Sequence, residues 1–151
     1  MTELEVKTLP VERTVVAPDG SDVRVLLRRP GGSMAHFQLA AGQVSNPVRH
    51  KTVDEIWYVL GGRGEMWRKR GDEELVVAME PGVSLTIPVG TSFQFRSFGP
   101  EPLAAIGITM PPWPGDLEWE PVDGHPEWTV STVMRTSGGR QANAEPSSAA
   151  P

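Results

Sequence analysis

Turn-forming residues recur along the whole chain and divide it into short segments. The sequence has 16 glycines and 15 prolines among 151 residues, and clusters of them separate runs rich in β-branched and aromatic residues, which favour strands. These runs predict strands at 22–29, 34–40, 53–60, 65–69, 74–79, 83–87, 93–98 and 103–110. They start about every ten residues, and no helical period of useful length interrupts them, so the chain is predicted to form an all-β sandwich or barrel.

Charge and composition exclude several classes of function. With 14 basic and 19 acidic residues, the net charge is −5, which leaves no basic surplus to neutralise a nucleic acid. The absence of cysteine excludes disulfides, thiolate metal sites and cysteine nucleophiles. The apolar runs are too short to span a membrane, and the N-terminus has no secretory-signal pattern. We therefore expect a soluble, cytoplasmic protein with no nucleic-acid or membrane partner.

Changes in amino-acid composition along the chain predict four parts. They are an N-terminal arm or edge strand at 1–20, a barrel at 21–112, a closing segment at 113–136 and a disordered tail at 137–151. The closing segment is rich in proline and acidic residues and contains Trp113, Trp119 and Trp128. Because tryptophan needs burial with a partner for its indole N–H, we expect this segment to close one end of the barrel.

Two glycine-bounded motifs reduce the number of all-β folds that fit the sequence. The first has Gly42, five residues, Val48-Arg49-His50, four residues, Glu55, six residues and Gly62. The second has Gly82, five residues, Pro88-Val89-Gly90, two residues, Phe93, three residues and Ser97. In spacing and order, this pair of motifs resembles the two motifs of the cupin superfamily. The resemblance implies a double-stranded β-helix, the jelly-roll barrel, over about residues 34–110.

The same resemblance implies a metal site that this chain has partly lost. In the family, three histidines and a glutamate hold the metal, and their positions here carry Val48, His50, Glu55 and Phe93. Valine and phenylalanine have no lone pair to donate, and two protein ligands rarely hold a transition ion. We therefore expect no cofactor, unless a metal at His50 and Glu55 is completed by another side chain. The candidates for that role are His36, Gln38, Gln43 and Gln94, and strand alternation argues against Gln94.

Side-chain alternation also predicts a pocket inside the barrel. We expect Trp57, Phe93, Phe95, Val48 and Gln38 to bind a ligand around His50 and Glu55. For Gln38, the sequence does not show whether the side chain faces into the barrel or away from it. An apolar pocket with two convergent ionisable groups is typical of a site for a small organic molecule.

Three functions fit this pocket. In the first, Glu55 is the base and His50 the acid of a metal-independent isomerase, epimerase or lyase; some metal-free cupins, among them sugar-nucleotide epimerases and ketoisomerases, use histidine with acidic or tyrosine residues in this way. The second is a metal-dependent dioxygenase or isomerase with an incomplete ligand set. The third is a non-catalytic ligand-binding or interaction module in which the pair is a relic. Cupin barrels commonly pair through edge strands, so we also expect a homodimer, with residues 1–13 as a possible exchanged strand.

Overall fold

The strands of the protein form two antiparallel sheets that pack face to face. The computed structural model describes residues 3–131, so the predicted tail at 137–151 and the end of the predicted closing segment lie outside the described residues. The strands are β1 (Val15–Val16), β2 (Asp22–Arg29), β3 (Gly32–Leu39), β4 (Val48–His50), β5 (Asp54–Gly61), β6 (Gly64–Arg70), β7 (Glu73–Met79), β8 (Ser84–Ile87), β9 (Ser92–Ser97), β10 (Leu103–Met110) and β11 (Trp119–Pro121). Within residues 3–131, no helix has the length and apolar character to cross a lipid bilayer.

The all-β prediction is confirmed. One sheet has the order β1-β2-β3-β10-β5-β8, and the other has the order β11-β4-β9-β6-β7. All eight strands predicted from the turn spacing are present, with ends that differ by only a few residues. The three additional strands, β1, β4 and β11, are two or three residues long, which is too short for an alternating pattern to stand out.

The core lies between the two sheets. Strand β5 shows the alternation most clearly, because Glu55, Trp57 and Val59 are buried while Ile56 and Tyr58 are exposed on the opposite face. The neighbouring strand β10 has the same pattern and turns Gly107 towards the ring of Trp57. The inner face of this sheet therefore carries both the packed core and the ionisable Glu55.

The chain after β10 is tied to the second sheet. Strand β11 pairs with β4, so that Trp119 lies opposite His50. The buried carboxylate of Glu118 accepts hydrogen bonds from Thr52 N at 2.6 Å, Thr52 Oγ1 at 2.5 Å and Val53 N at 2.9 Å. Burial alone would raise the pKa of Glu118, but these three hydrogen bonds and the nearby charge of His50 together outweigh it and lower that pKa. Glu118 thus fixes this segment to the turn that follows His50.

Before β1, the N-terminal arm runs beside β2 without forming a strand. Residues 5–10 have no regular secondary structure, and Arg24 holds the arm by donating to the carbonyl oxygens of Pro10 at 2.9 Å and Val11 at 3.0 Å. The side chains of Leu4 and Val6 are 90% and 94% exposed. The arm therefore presents apolar side chains that its own chain does not cover.

Candidate functional site

His50 and Glu55 meet between the two sheets. His50 ends β4 and Glu55 is the second residue of β5, and the turn between them places His50 Nδ1 2.7 Å from Glu55 Oε2. The two side chains are only 10% and 2% exposed. The other carboxylate oxygen, Oε1, accepts a hydrogen bond of 2.5 Å from Trp57 Nε1. Both oxygens of Glu55 are therefore engaged by side chains of the site.

A small cavity adjoins this pair. The void measures about 350 Å³ with its opening to solvent included. Within it, the centre of a water molecule can occupy about 20 Å³. That space holds roughly one or two waters. The cavity is lined by Ala17, Pro18, Asp19, Phe37, Val48, His50, Glu55, Trp57, Phe93, Thr109 and Trp113. A larger ligand would have to displace part of this wall.

Most of the side chains predicted to surround the pair are found there. Val48, Trp57 and Phe93 line the cavity. Phe95 is buried and packs against Trp57 with ring centroids 5.2 Å apart, but it does not line the cavity.

The prediction for Gln38 differs from the structure. Phe37, not Gln38, takes the inward position on β3 and lines the cavity. Because neighbouring residues of a strand point to opposite faces, Gln38 lies on the outer face, where its Oε1 accepts a hydrogen bond of 3.2 Å from Arg24 Nη1. Gln38 is therefore not part of the site.

The charge of His50 is set by its acidic neighbours. Burial alone would lower the pKa of the imidazole, but the nearby Glu55 carboxylate, together with smaller contributions from Asp19 and Glu118, outweighs this effect. The net result is a pKa of His50 above its ordinary value. Nδ1 faces Glu55, so Nε2 is the ring nitrogen that does not contact this carboxylate.

Asp19 is a third ionisable group of the cavity that sequence reasoning missed. Its Oδ1 accepts hydrogen bonds from Ser21 N at 2.8 Å and Ser21 Oγ at 2.6 Å. Burial raises the pKa of Asp19, and the bonds from Ser21 only partly oppose this. In the sequence, Pro18-Asp19-Gly20-Ser21 has the composition of an ordinary surface turn. Only the packing of this turn between the sheets reveals its place at the site.

Aromatic rings form the remaining walls. Phe37 and Trp57 are stacked with centroids 4.7 Å apart. The rings of Phe93 and Trp113 meet His50 edge-on, at 5.2 and 4.7 Å. Trp113 Nε1 is buried without a hydrogen-bond partner among the described residues. The indole N–H of Trp113 is thus available to an acceptor atom of a ligand.

The donor set does not fit the metal that the resemblance implies. Val48 lies opposite Phe93 in the β4–β9 pair, so two of the four family positions bring only hydrocarbon into the cavity. Of the replacements considered, Gln94 donates to Ser45 O at 3.0 Å, and His36, next to Phe37 on β3, faces away from the cavity. Over residues 3–131, no group of three or more His, Cys, Asp or Glu side chains is placed to hold a metal ion.

Comparison with known protein families decides the classification. The profile of the Cupin domain family matches residues 35–109, about half of the chain, and this segment contains both glycine-bounded motifs. The chain belongs to the cupin superfamily. Among curated proteins, no sequence matches this cupin at a significant level.

Solved structures agree with the cupin fold. BH2720 from Bacillus halodurans is similar with a TM-score of 0.56 and 24% identity, over 60% of this chain and 70% of that protein. An uncharacterized conserved protein with a double-stranded beta-helix domain from Klebsiella pneumoniae has a TM-score of 0.55 and 17% identity, over 78% and 90%. The capsular polysaccharide assembling protein CapF from Staphylococcus aureus has a TM-score of 0.56 and 18% identity, over 64% of this cupin but only 30% of CapF. The predicted double-stranded β-helix is confirmed.

Proposed function

We propose that this cupin binds a small organic molecule beside His50 and Glu55, where the ligand displaces part of the cavity wall, and that it transfers a proton to or from that molecule without a metal. The observation that carries the proposal is the convergence of His50, Glu55 and Asp19 in one cavity walled by aromatic rings. The pKa values of His50 and Asp19 are raised, and ionisable groups with shifted pKa values in an apolar cleft are typical of acid–base sites.

Within this proposal, His50 is the catalytic residue and Glu55 is a positioning residue. Both Glu55 oxygens are already engaged, by Trp57 Nε1 and by His50. The sequence indicated Glu55 as the base. Because both of its oxygens are engaged, we assign this role to His50, whose Nε2 exchanges the proton. Glu55 orients the imidazole and favours its protonated form.

Asp19 completes the set as a hydrogen-bond donor to the ligand. Burial favours the protonated form of its carboxyl group, and in that form it donates to a carbonyl oxygen of the ligand. While His50 Nε2 takes the proton from the carbon next to the carbonyl and later returns it, this hydrogen bond stabilises the negative charge that develops on the oxygen in an enolate-like transition state. The reaction class that follows is isomerisation, epimerisation or elimination next to a carbonyl group.

Deuterium exchange tests this proposal without knowledge of the natural substrate. Small aldoses, ketoses and 2-oxo acids are incubated with the protein in D₂O, and NMR follows deuterium incorporation at the carbon next to the carbonyl. We expect exchange with at least one of these compounds and a loss of about 10²-fold or more in His50→Asn. His125→Gln, which changes a histidine outside the cavity, serves as the matched control and should keep the wild-type rate.

The alternatives predict different results in the same experiment. A compound that binds at the cavity but shows no exchange with the wild-type protein would overturn the catalytic part and favour a binding module. A module also predicts that Glu55→Gln leaves binding intact. Equal exchange by the wild type and His50→Asn would remove His50 from the reaction.

We further propose that this cupin works as a homodimer in the cytoplasm. Exposed apolar side chains include Leu4 and Val6 on the arm, and Ile56, Tyr58 and Leu60 on the outer face of the six-stranded sheet. Contact with a second copy would cover such surfaces, since exposed apolar patches commonly mark interfaces.

The molar mass in solution decides this part of the proposal. Light scattering coupled to gel filtration should give twice the chain mass for the wild type. Leu4→Ser with Val6→Ser should shift the mass towards the monomer if the arm takes part. A monomeric wild type would contradict the proposed dimer.

A further inference from the structure

A second cavity lies where strand β6 ends, away from the His50 site. The centre of a water molecule can occupy about 110 Å³ of this cavity, compared with about 20 Å³ beside His50. Its wall includes three consecutive cations and three residues from the neighbouring strands and turns: Arg68, Lys69, Arg70, Glu73, Thr86 and Thr91. No residue is shared with the wall of the first cavity.

The charge of this cavity opposes that of the whole chain. The wall contains three cations and a single carboxylate, Glu73, in a protein whose net charge is −5. Among the ion pairs formed within residues 3–131, none involves Lys69 or Arg70. Glu74, which lies across the strand pair from Lys69, accepts instead from Trp67 Nε1 at 2.7 Å. Glu73 offsets one of the three positive charges, and two remain uncompensated.

Hydrogen bonding fixes part of this wall and leaves other polar atoms unpaired. Arg68 Nη1 donates to Thr86 O on β8 at 2.7 Å, which anchors the guanidinium group at the cavity. Arg68 Nε and Thr91 Oγ1 are buried, and neither has a hydrogen-bond partner in the described part of the chain. Buried polar groups normally find partners, so unpaired groups beside a basic cavity favour a ligand with several acceptor oxygens.

We propose that this second cavity binds a small, doubly charged oxyanion, of which a phosphate group is the simplest example. Two positive charges remain after Glu73 is counted, which matches a dianion better than a monoanion. The planar guanidinium fork also fits the oxygens of a phosphate group. The site does not depend on the chemistry proposed for His50, so either proposal can fail alone.

Titration with inorganic phosphate tests the site. Amide ¹H–¹⁵N spectra of the full chain are recorded with phosphate, acetate or chloride at matched ionic strength and pH. We expect saturable shifts at residues 68–70 and 91 with phosphate, and weaker, non-saturating shifts with the other anions. Adding salt should weaken phosphate binding, since both Lys69 and Arg70 are exposed to screening ions.

Two variants separate this site from general surface charge. Lys69→Gln with Arg70→Gln removes two exposed cations and should weaken phosphate binding by at least about fivefold. Arg63→Gln removes one exposed cation from the other end of the same hairpin, outside the cavity, and should stay within about twofold of the wild type. Unchanged dispersion of the remaining amide signals confirms that each variant is folded.

Three results would overturn the proposal: no saturation with phosphate, equal responses to chloride and phosphate, or equal weakening in both variants. Titration with phosphate monoesters identifies the source of the anion. Tighter binding of an ester than of phosphate supports a phosphorylated metabolite as the ligand. Tighter binding of inorganic phosphate supports the free ion.

Discussion

The rings of Phe37 and Trp57 stack almost parallel, with centroids 4.7 Å apart and planes inclined by 9°. This stack positions the indole nitrogen that holds Glu55 Oε1. Gly107 on β10 makes room for it, because a Cβ there would lie 2.7 Å from Phe37 Cε2 and 3.0 Å from Trp57 Nε1. The geometry of the His50–Glu55 pair thus depends on a glycine from a third strand.

Gly107→Ala should therefore destabilise the protein. A methyl group at this position overpacks the core, and we expect the free energy of unfolding in urea to fall by about 1–3 kcal/mol. Gly31→Ala is the control, because no atom lies within 4 Å of its added Cβ, and it should change the stability by less than about 0.5 kcal/mol. Equal stability of the two variants would show that the stack tolerates the methyl group.

Much of the fold could be predicted from the sequence because local rules determine it. Glycine and proline mark most of the turns, and alternation on β5 places Glu55 and Trp57 on the buried face. Strand β11 could not be predicted, because its pairing with β4 depends on contacts distant in sequence. Its anchor is Glu118, which appeared in the sequence as one acid among several.

For the site, the motif spacing was informative about His50 and Glu55 but not about their surroundings. The two residues are close in sequence and flank one turn, so the motif brings them together. Asp19 reaches the cavity through the packing of a distant loop, and its turn-like sequence gives no sign of this. Gln38 and Phe37 could not be told apart, since on an isolated strand either residue can face the core.

Glu118→Gln should weaken the attachment of the segment after β10. The charged acceptor of three hydrogen bonds is lost, so we expect the free energy of unfolding at neutral pH to fall by about 1–3 kcal/mol. Because folding lowers the pKa of Glu118, its contribution is present above the ordinary glutamate pKa, about 4.3, and is lost as the pH falls through the folded value. Urea unfolding at both neutral and acidic pH measures this difference.

The difference between wild type and Glu118→Gln should accordingly shrink in acid. Glu101→Gln, the same change at an exposed position, should leave the stability unchanged at either pH. A Glu118→Gln effect of the same size at both pH values would mean that the carboxylate charge contributes nothing.

Asp19→Asn should change how stability depends on pH. Because burial raises the folded pKa of Asp19, the folded state binds this proton more tightly than the unfolded state. The stabilisation is complete below the ordinary aspartate pKa, about 3.9, and is lost as the pH rises through the folded value, at about 1.4 kcal/mol per unit of raised pKa.

Urea unfolding between about pH 4 and pH 8 measures this effect. The wild type should lose stability relative to Asp19→Asn as the pH rises. Parallel profiles for the two proteins would show that Asp19 releases its proton as easily in the folded state as in the unfolded state.

The most direct measurement of the proposed site is the titration of His50 by ¹⁵N NMR of the imidazole nitrogens. In the wild type, the pKa of His50 should lie above the ordinary histidine value of about 6.5. In Glu55→Gln it should fall, because the opposing charge is removed while burial remains. A wild-type His50 that titrates at or below its ordinary value, or at the same pH in Glu55→Gln, would contradict the account.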